Sequence, residues 1–266
     1  MPELPDVENY KRYLEATALH KRIKGVHVAD TRFLRETSEK SLRDGLVGRA
    51  FARARRHGKY LLVQLEGGGW VASHFGMTGN LRYFKDSDQD PEYDRVRLDF
   101  DNGDHLAFVS KRMLGHLRLI EDADRFIKKE KLGVDALDPA VDRAWFRQAL
   151  AAKRGGLKST LTDQSFIAGI GNVYCDEILF RAKLDPDAKA RKLDDDQKDR
   201  LFDAMREVLH TAIDCGAGSE ELVDRLPDDY LLRYREKGAP CPRCGTEIET
   251  RKVSGRTTYI CPRCQK

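Results

Sequence analysis

One change of hydrophobic period divides this chain of 266 residues. Seven short apolar runs, at 25–28, 60–65, 69–73, 81–84, 96–100, 105–109 and 117–120, crowd the part before residue 122. Turn residues separate several of them, as in Glu66-Gly67-Gly68-Gly69 and Asp101-Asn102-Gly103-Asp104, where Asn-Gly is a hairpin signal. Many short strands without helices between them predict antiparallel sheets packed as a sandwich or barrel. Ahead of them, Val7, Tyr10, Leu14 and Ala18 recur at helical spacing and predict a flanking helix over 6–21. From about Asp124 the period becomes helical, with segments at 144–151, 159–167 and 172–182. The clearest is 197–214, with Leu201, Met205, Leu209 and Ala212 as its stripe and Asp194 to Asp196 supplying N-cap oxygens. The fold class is therefore α+β. An N-terminal β-sandwich domain over 1–122 precedes a helical domain over 123–237, and a small terminal unit occupies 238–266.

That terminal unit contains Cys241-Pro-Arg-Cys244 and Cys261-Pro-Arg-Cys264, sixteen residues apart. Two CxxC knuckles at this spacing place four thiolates around one Zn2+, with 246–251 and 257–260 as strands joined around Ser254-Gly255. So short a unit buries too little core to fold unaided, and zinc ligation supplies on the order of 10 kcal/mol. Four thiolates leave the metal no open position, so the zinc is structural. Cys175 and Cys215 remain as ordinary small side chains.

The net charge is only +4, but it is unevenly spread. Residues 185–229 hold fourteen acidic and seven basic side chains, whereas 230–266 hold nine basic and three acidic. Arg53, Arg55, Arg56 and Lys59 form a second basic group, and the hairpin adds Arg251, Lys252 and Arg256. Clustered cations in a balanced chain suggest a polyanion footprint, or else a solvated face. No run reaches the ~18 apolar residues of a membrane span, and no basic-then-apolar leader opens the chain. The expectation is a soluble cytosolic monomer without membrane partners.

Two further motifs carry chemistry. Removal of Met1, usual ahead of proline, leaves Pro2 with a free secondary amine followed by the carboxylate of Glu3. An α-amino group titrates near pKa ~8, so roughly a tenth is neutral and nucleophilic at pH 7. A secondary amine that attacks an electrophilic carbon forms an iminium, an electron sink like a lysine Schiff base. The plainer alternative is that Pro2 and Pro5 stiffen the entry to a helix. Separately, Ala168-Gly169-Ile170-Gly171-Asn172 joins two helical segments; its glycines allow close backbone approach, and Asn172 suits an N-cap. Amides exposed there favour a phosphate, although a plain helical hairpin has the same pattern.

Together these pieces resemble the formamidopyrimidine-DNA glycosylase / endonuclease VIII family of base-excision repair enzymes. The matching segments are Pro2-Glu3-Leu4-Pro5, His57-Gly58-Lys59-Tyr60-Leu61-Leu62, His74-Phe75-Gly76-Met77-Thr78-Gly79 and the helix–two-turn–helix segment Gly169-Ile170-Gly171-Asn172-Val173-Tyr174. The last is the CxxC hairpin with Gly255-Arg256, and all five occur in family order across essentially the whole chain. The resemblance implies a bifunctional glycosylase and abasic-site lyase acting on damaged double-stranded DNA, in bacteria and at the nucleoid. Pro2 would be the nucleophile at C1′, Glu3 the acid/base at the sugar ring oxygen, and Lys59 a contact to the phosphate beside the lesion. Asn172 and Arg256 would grip backbone phosphates, with Lys59 and Arg256 as part of the catalytic set. Met77, Arg112 and Leu114 occupy the positions that fill the hole left by an extruded base; buried core is the alternative reading of Met77 and Leu114.

The chain departs from the family in three places. Asp6 stands where glutamate is commoner. Lys111-Arg112-Met113-Leu114-Gly115 lacks the aromatic wedge and the neighbouring arginine. Residues 216–238 are short for a loop that caps oxidised guanine, and they hold Glu220-Glu221 and Asp228-Asp229. Oxidised purines, oxidised pyrimidines, bulky adducts and crosslinks therefore all stay open as the lesion. Two rival functions also stay open, a non-catalytic damaged-DNA-binding protein on this scaffold and a general zinc-ribbon DNA-binding factor.

Overall fold

A computed structural model describes residues 1–86, 89–216 and 222–266. Glu220 and Glu221, within the stretch 216–238 that is short for a capping loop, lie outside them. The chain forms two compact units, Met1–Pro2 with Val7–Glu130 and Glu3–Asp6 with Lys131–Lys266.

The first unit holds most of helix α1 (Leu4–Thr17), helix α2 (Glu39–Leu46) and eight strands. These are β1 (Ile23–Val28), β2 (Phe51–His57), β3 (Tyr60–Leu65), β4 (Trp70–His74), β5 (Gly79–Phe84), β6 (Asp94–Phe100), β7 (His105–Ser110) and β8 (His116–Ile120). They form two antiparallel four-stranded sheets, ordered β1-β6-β7-β5 and β2-β3-β4-β8. Ile23 and Val26 of β1, Phe100 of β6 and Phe108 of β7 share one core with Phe51, Leu61, Val71 and Leu117 of the other sheet. The expected sandwich is present. Strand β2 escaped sequence reading because its run Phe-Ala-Arg-Ala-Arg-Arg-His looks like a charge cluster. Helix α2 escaped because only Leu42 and Leu46 are buried along it.

The charge cluster itself dissolves on folding. Arg55 pairs with Asp124 (2.7 Å) and Arg56 with Glu8 (3.2 Å), while Arg53 lies over the Trp70 ring at 5.2 Å. These arginines are partnered along a strand, not pooled into one cationic patch.

Helix α3 (Ala123–Lys129) follows β8, and the sequence reading placed it in the helical half. It belongs to the first unit, because β3 buries both of its faces and Leu62, Trp70 and Ala72 pack against Ala123 and Phe126.

In the second unit, strand β9 (Val134–Asp135), helix α4 (Arg143–Ala151) and helix α5 (Leu157–Leu161) lead to strand β10 (Ile167–Ala168). The helix expected over 159–167 stops at Leu161. The Asp163 carboxylate there takes the N–H and hydroxyl of Ser165, a local turn that competes with the helix, and Ile167-Ala168 pairs in parallel with Val134-Asp135. Helix α6 (Asn172–Ala182) is the hub, with nine of its eleven residues buried. Helix α7 (Asp195–Asp214) packs on it and opens with a full capping box between Asp194 and Gln197. Strands β11 (Glu249–Val253) and β12 (Arg256–Ile260) form the terminal hairpin. Ser254 and Gly255 both have positive φ, the two-residue turn that matches strand twist. Cys175 is wholly buried in α6, and burial pushes its thiol up, out of reach of ordinary redox chemistry.

Within α6, Glu177 is fully buried with one oxygen accepting from Leu232 N–H (2.9 Å). Burial pushes its carboxyl up to about 8 from an ordinary 4.5, against the opposing pull of that N–H and Arg181. The folded state therefore holds a proton that the unfolded chain releases above its own pKa. The stability that this group contributes should fall as pH rises from about 4.5 to about 8. Thermal melts of the wild type and Glu177→Gln across pH 4–9 check this: the stability of the wild type relative to the variant should fall across that window.

Candidate active site and nucleic-acid interface

Each unit gathers part of the expected site. In the second unit, Glu3 is fully buried at the start of α6. Helix starts leave N–H groups without intrahelical partners, and the N-cap residue here is Gly171, which has no side chain to accept from them. The Glu3 carboxylate does so instead. Its Oε2 accepts from Gly171 N–H (2.6 Å) and Tyr174 N–H (3.3 Å), and its Oε1 from Val173 N–H (2.9 Å). An anion at the positive end of a helix is favoured twice, by these charge-assisted bonds and by the macrodipole. Asn172, expected to be the cap, is instead the first helical residue, and its Nδ2 donates to the Thr257 carbonyl (3.1 Å).

The glycine turn is held from both sides. Leu4 N–H donates to the Gly169 carbonyl (3.0 Å). Gly169 has φ +117°, and a Cβ there would lie 2.5 Å from Leu4 Cδ1. Gln164 braces the same turn, accepting from Gly169 N–H (3.0 Å) and donating to the Ile170 carbonyl (2.8 Å). Its only sequence signal was position, a polar side chain just ahead of the glycines. Asp6 accepts from Glu3 N–H (2.7 Å), so the shorter carboxylate still reaches the capping position at the start of α1. Pro2 is buried, and its peptide bond to Glu3 is where the chain passes between units.

In the first unit, the register lines up His57, Tyr60, His74 and His116 at one end of the β2-β3-β4-β8 sheet. At the matching end of the other sheet, Gly79 pairs with Ser110. Lys59, Met77, Arg112 and Leu114 therefore share one end of the sandwich. Lys59 is buried in the two-residue turn between β2 and β3, where Gly58 takes φ +54°. The Met77 and Leu114 loops interlock. Arg112 N–H donates to Thr78 Oγ1 (3.1 Å), and a Cβ on Gly76 would meet the Leu114 carbonyl carbon at 2.3 Å. Leu114 is 53% exposed, so the buried-core reading fails for it, and Met77 is half-buried.

Sequence reading missed His74 as a brace. Its Nδ1 accepts from Gly76 N–H (3.1 Å), which leaves the ring proton on Nε2. Burial first, then neighbouring His116, Lys59 and Arg35, push this imidazole down to about 4. It therefore holds the turn as a neutral ring throughout the physiological range.

At the terminal hairpin, the Sγ atoms of Cys241, Cys244, Cys261 and Cys264 all lie within 4.8 Å of one another, with close pairs at 3.4–4.0 Å. Sulfurs about 2.3 Å from a shared zinc stand about 3.8 Å apart, so the donor set fits one tetrahedral Zn2+. Arg251 is engaged by Asp185 (3.1 Å) and Lys252 by Thr257 Oγ1 (2.8 Å), whereas Arg256 is exposed beside the hairpin turn. Asp228 pairs with Arg233 (3.0 Å) and Asp229 with Arg181, so this acidic pair is neutralised in place. Among the described residues no helix is long and apolar enough to cross a membrane.

Two measurements check this geometry. Gly76→Ala should cost more than about 1 kcal/mol in a denaturant titration, since alanine is strained at positive φ and its Cβ meets backbone. Chelation of zinc, followed by limited proteolysis, should open cleavage within 238–266 while 1–120 stays protected.

The comparisons agree with this layout. Residues 1–117 match the profile of the formamidopyrimidine-DNA glycosylase N-terminal domain, residues 132–224 that of its H2TH domain, and residues 238–266 that of the zinc finger found in FPG and IleRS. Formamidopyrimidine-DNA glycosylase of Heliobacterium modesticaldum is 38% identical over 100% of both chains. The enzyme of Thermus thermophilus is 36% identical over 100% of this chain and 98% of its own. Among solved structures, Lactococcus lactis formamidopyrimidine-DNA glycosylase bound non-covalently to DNA containing an abasic site superposes with a TM-score of 0.89. It is 30% identical and covers 99% of each chain. MutM in complex with DNA containing carbocyclic 8-oxoguanine gives a TM-score of 0.90 at 30% identity over the whole of both chains. With three consecutive domain profiles and full-length relatives in agreement, the chain belongs to the formamidopyrimidine-DNA glycosylase family.

Proposed function

We propose that this protein excises damaged bases from double-stranded DNA and then cuts the strand through an iminium on Pro2. One observation carries this reading: the residue bonded to Pro2 is a buried carboxylate held by three backbone amides of the helix–two-turn–helix turn.

Removal of Met1 frees the Pro2 nitrogen. Its lone pair attacks C1′ of an extruded nucleotide, and the glycosidic bond breaks with its electrons leaving on the base. The nitrogen gives up its N–H proton to Glu3, its lone pair opens the C1′–O4′ bond, and Glu3 passes the proton to O4′, which yields the iminium between C1′ and nitrogen. Glu3 Oε1 accepts a single amide, whereas Oε2 accepts two, so Oε1 is the oxygen with capacity left to take and return that proton. The iminium acidifies C2′–H, and its loss expels the 3′ phosphate by β-elimination. A second loss at C4′ expels the 5′ phosphate by δ-elimination, and water then releases Pro2.

A duplex base must leave the stack before C1′ can be reached. Exposed Leu114 and half-buried Met77 fill the vacated space, and Arg112 bonds the orphaned partner base. Lys59, Asn172 and Arg256 hold phosphates. Solved relatives hold DNA with an abasic site and with 8-oxoguanine, which makes oxidised purines the first lesion class. Leu114 gives an aliphatic wedge with no π face to stack, so discrimination of the opposite base rests mainly on Arg112. Such a substrate puts the protein on chromosomal DNA in the nucleoid.

Borohydride reduction in the presence of abasic-site DNA tests the chemistry. The wild type should form a covalent adduct that maps to Pro2 by mass spectrometry, and Pro2→Gly should reduce its yield by at least about a hundredfold, within the range for loss of an activated nucleophile. DNA binding without any adduct would favour the non-catalytic reading. Arg112→Ala should weaken discrimination between cytosine and adenine opposite 8-oxoguanine, read as the ratio of their single-turnover cleavage rates.

A further inference from the structure

Arg256 sits beside the hairpin turn, five residues before Cys261. At about 3.3 Å per strand residue it lies roughly 16 Å from the knuckle, too far for the metal alone to orient it. Something nearer must do so.

A buried polar chain does. Lys158 of α5 is 1% exposed and Asp176 of α6 is 0% exposed. Lys158 Nζ donates to Asp176 Oδ1 and to Thr258 Oγ1 (2.7 Å). The Thr258 hydroxyl, fully buried, donates to the Arg256 carbonyl (3.4 Å). Asp176 Oδ2 accepts from Arg235 Nη2 (3.0 Å) and Nε (3.2 Å), and from Tyr259 N–H (3.4 Å). Arg235 also covers the Tyr259 ring at 4.5 Å. With Asn172 donating to the Thr257 carbonyl, three successive residues of β12, Thr257, Thr258 and Tyr259, are pinned to the helices.

We propose that Asp176 and Lys158 are positioning residues for Arg256, acting through the Thr258 hydroxyl. A buried ion pair is often no more stabilising than apolar side chains of the same volume, and fixing register is its best-attested use. Here the register fixed is that of the zinc hairpin against α5 and α6. The inference deepens the proposed function and rests on Arg256 contacting a DNA phosphate.

The experiment measures binding to a duplex carrying a tetrahydrofuran abasic analogue across a potassium chloride series, using full-length zinc-loaded protein. Arg256→Ala should lose one phosphate contact and make the log–log salt slope shallower by about 0.9. Thr258→Val, which keeps the side-chain shape and the Lys158–Asp176 pair, should lose part of the same slope with its zinc content unchanged. The double variant should bind within about twofold of Arg256→Ala alone, because both changes act on one contact. Asp176→Asn should behave like Thr258→Val, and if it does not fold, Thr258→Val carries the test. A wild-type slope in Thr258→Val, or losses that add in the double variant, would overturn the proposal. Wild-type protein that binds the analogue but never traps abasic DNA would sink the enzymatic reading alone, since the coupling is read from binding.

Discussion

The second unit is organised around a carboxylate that caps a helix from 168 residues away in sequence. Gly171 leaves the first amides of α6 without a side-chain acceptor, and Glu3 meets three of them. An ordinary N-cap contributes about 1 kcal/mol, and bonds to an ionised acceptor are roughly twice as strong as neutral ones. The pairing explains why Gly169 is a glycine, since Leu4 must come within contact distance of it to bring Glu3 to the helix. It also explains the division of the chain, in which Glu3–Asp6 cluster with the helical unit although the rest of α1 does not. The residue that follows Pro2 is thereby immobilised, and the first residues of the chain, usually among the most mobile, are held in place.

Interlocked backbone serves the same end in the sandwich. Gly76 and Gly115 leave no room for a Cβ because the Met77 and Leu114 loops touch through main-chain atoms, with His74 bracing the turn between them. A side chain meant to enter a base stack must be exposed in the free protein yet mounted rigidly, and Leu114 on this support meets both conditions. Apolar exposure on a soft loop would lose much of its wedge energy to ordering.

The architecture was largely legible because period and punctuation are local signals. Strand β3, helix α6 and the N-cap before α7 read directly from their residues, and the cysteine spacing specified the tetrahedron. Signals that failed were those whose meaning is settled by distant partners. Arg53, Arg55 and Arg56 look like a cationic patch until Trp70, Asp124 and Glu8 claim them. Asn172 looks like a cap because nothing local shows that Glu3 already fills that role. Phe126 gives no local sign that β3 has a second face to bury, which is why α3 was assigned to the wrong unit. Lys158 and Asp176 are invisible for the same reason, as each is an ordinary charged residue until the other is buried beside it. Family motifs supplied roles for Pro2, Lys59 and Arg256 that composition and spacing could not.

Hydrogen–deuterium exchange at the amides of Gly171, Val173 and Tyr174 tests the central claim most directly, by comparing the wild type with Glu3→Ala. If the Glu3 carboxylate holds the start of α6, these three amides exchange markedly faster in the variant while amides in the middle of α7 keep their protection. Unchanged exchange at all three, in a variant that remains folded, would contradict the account.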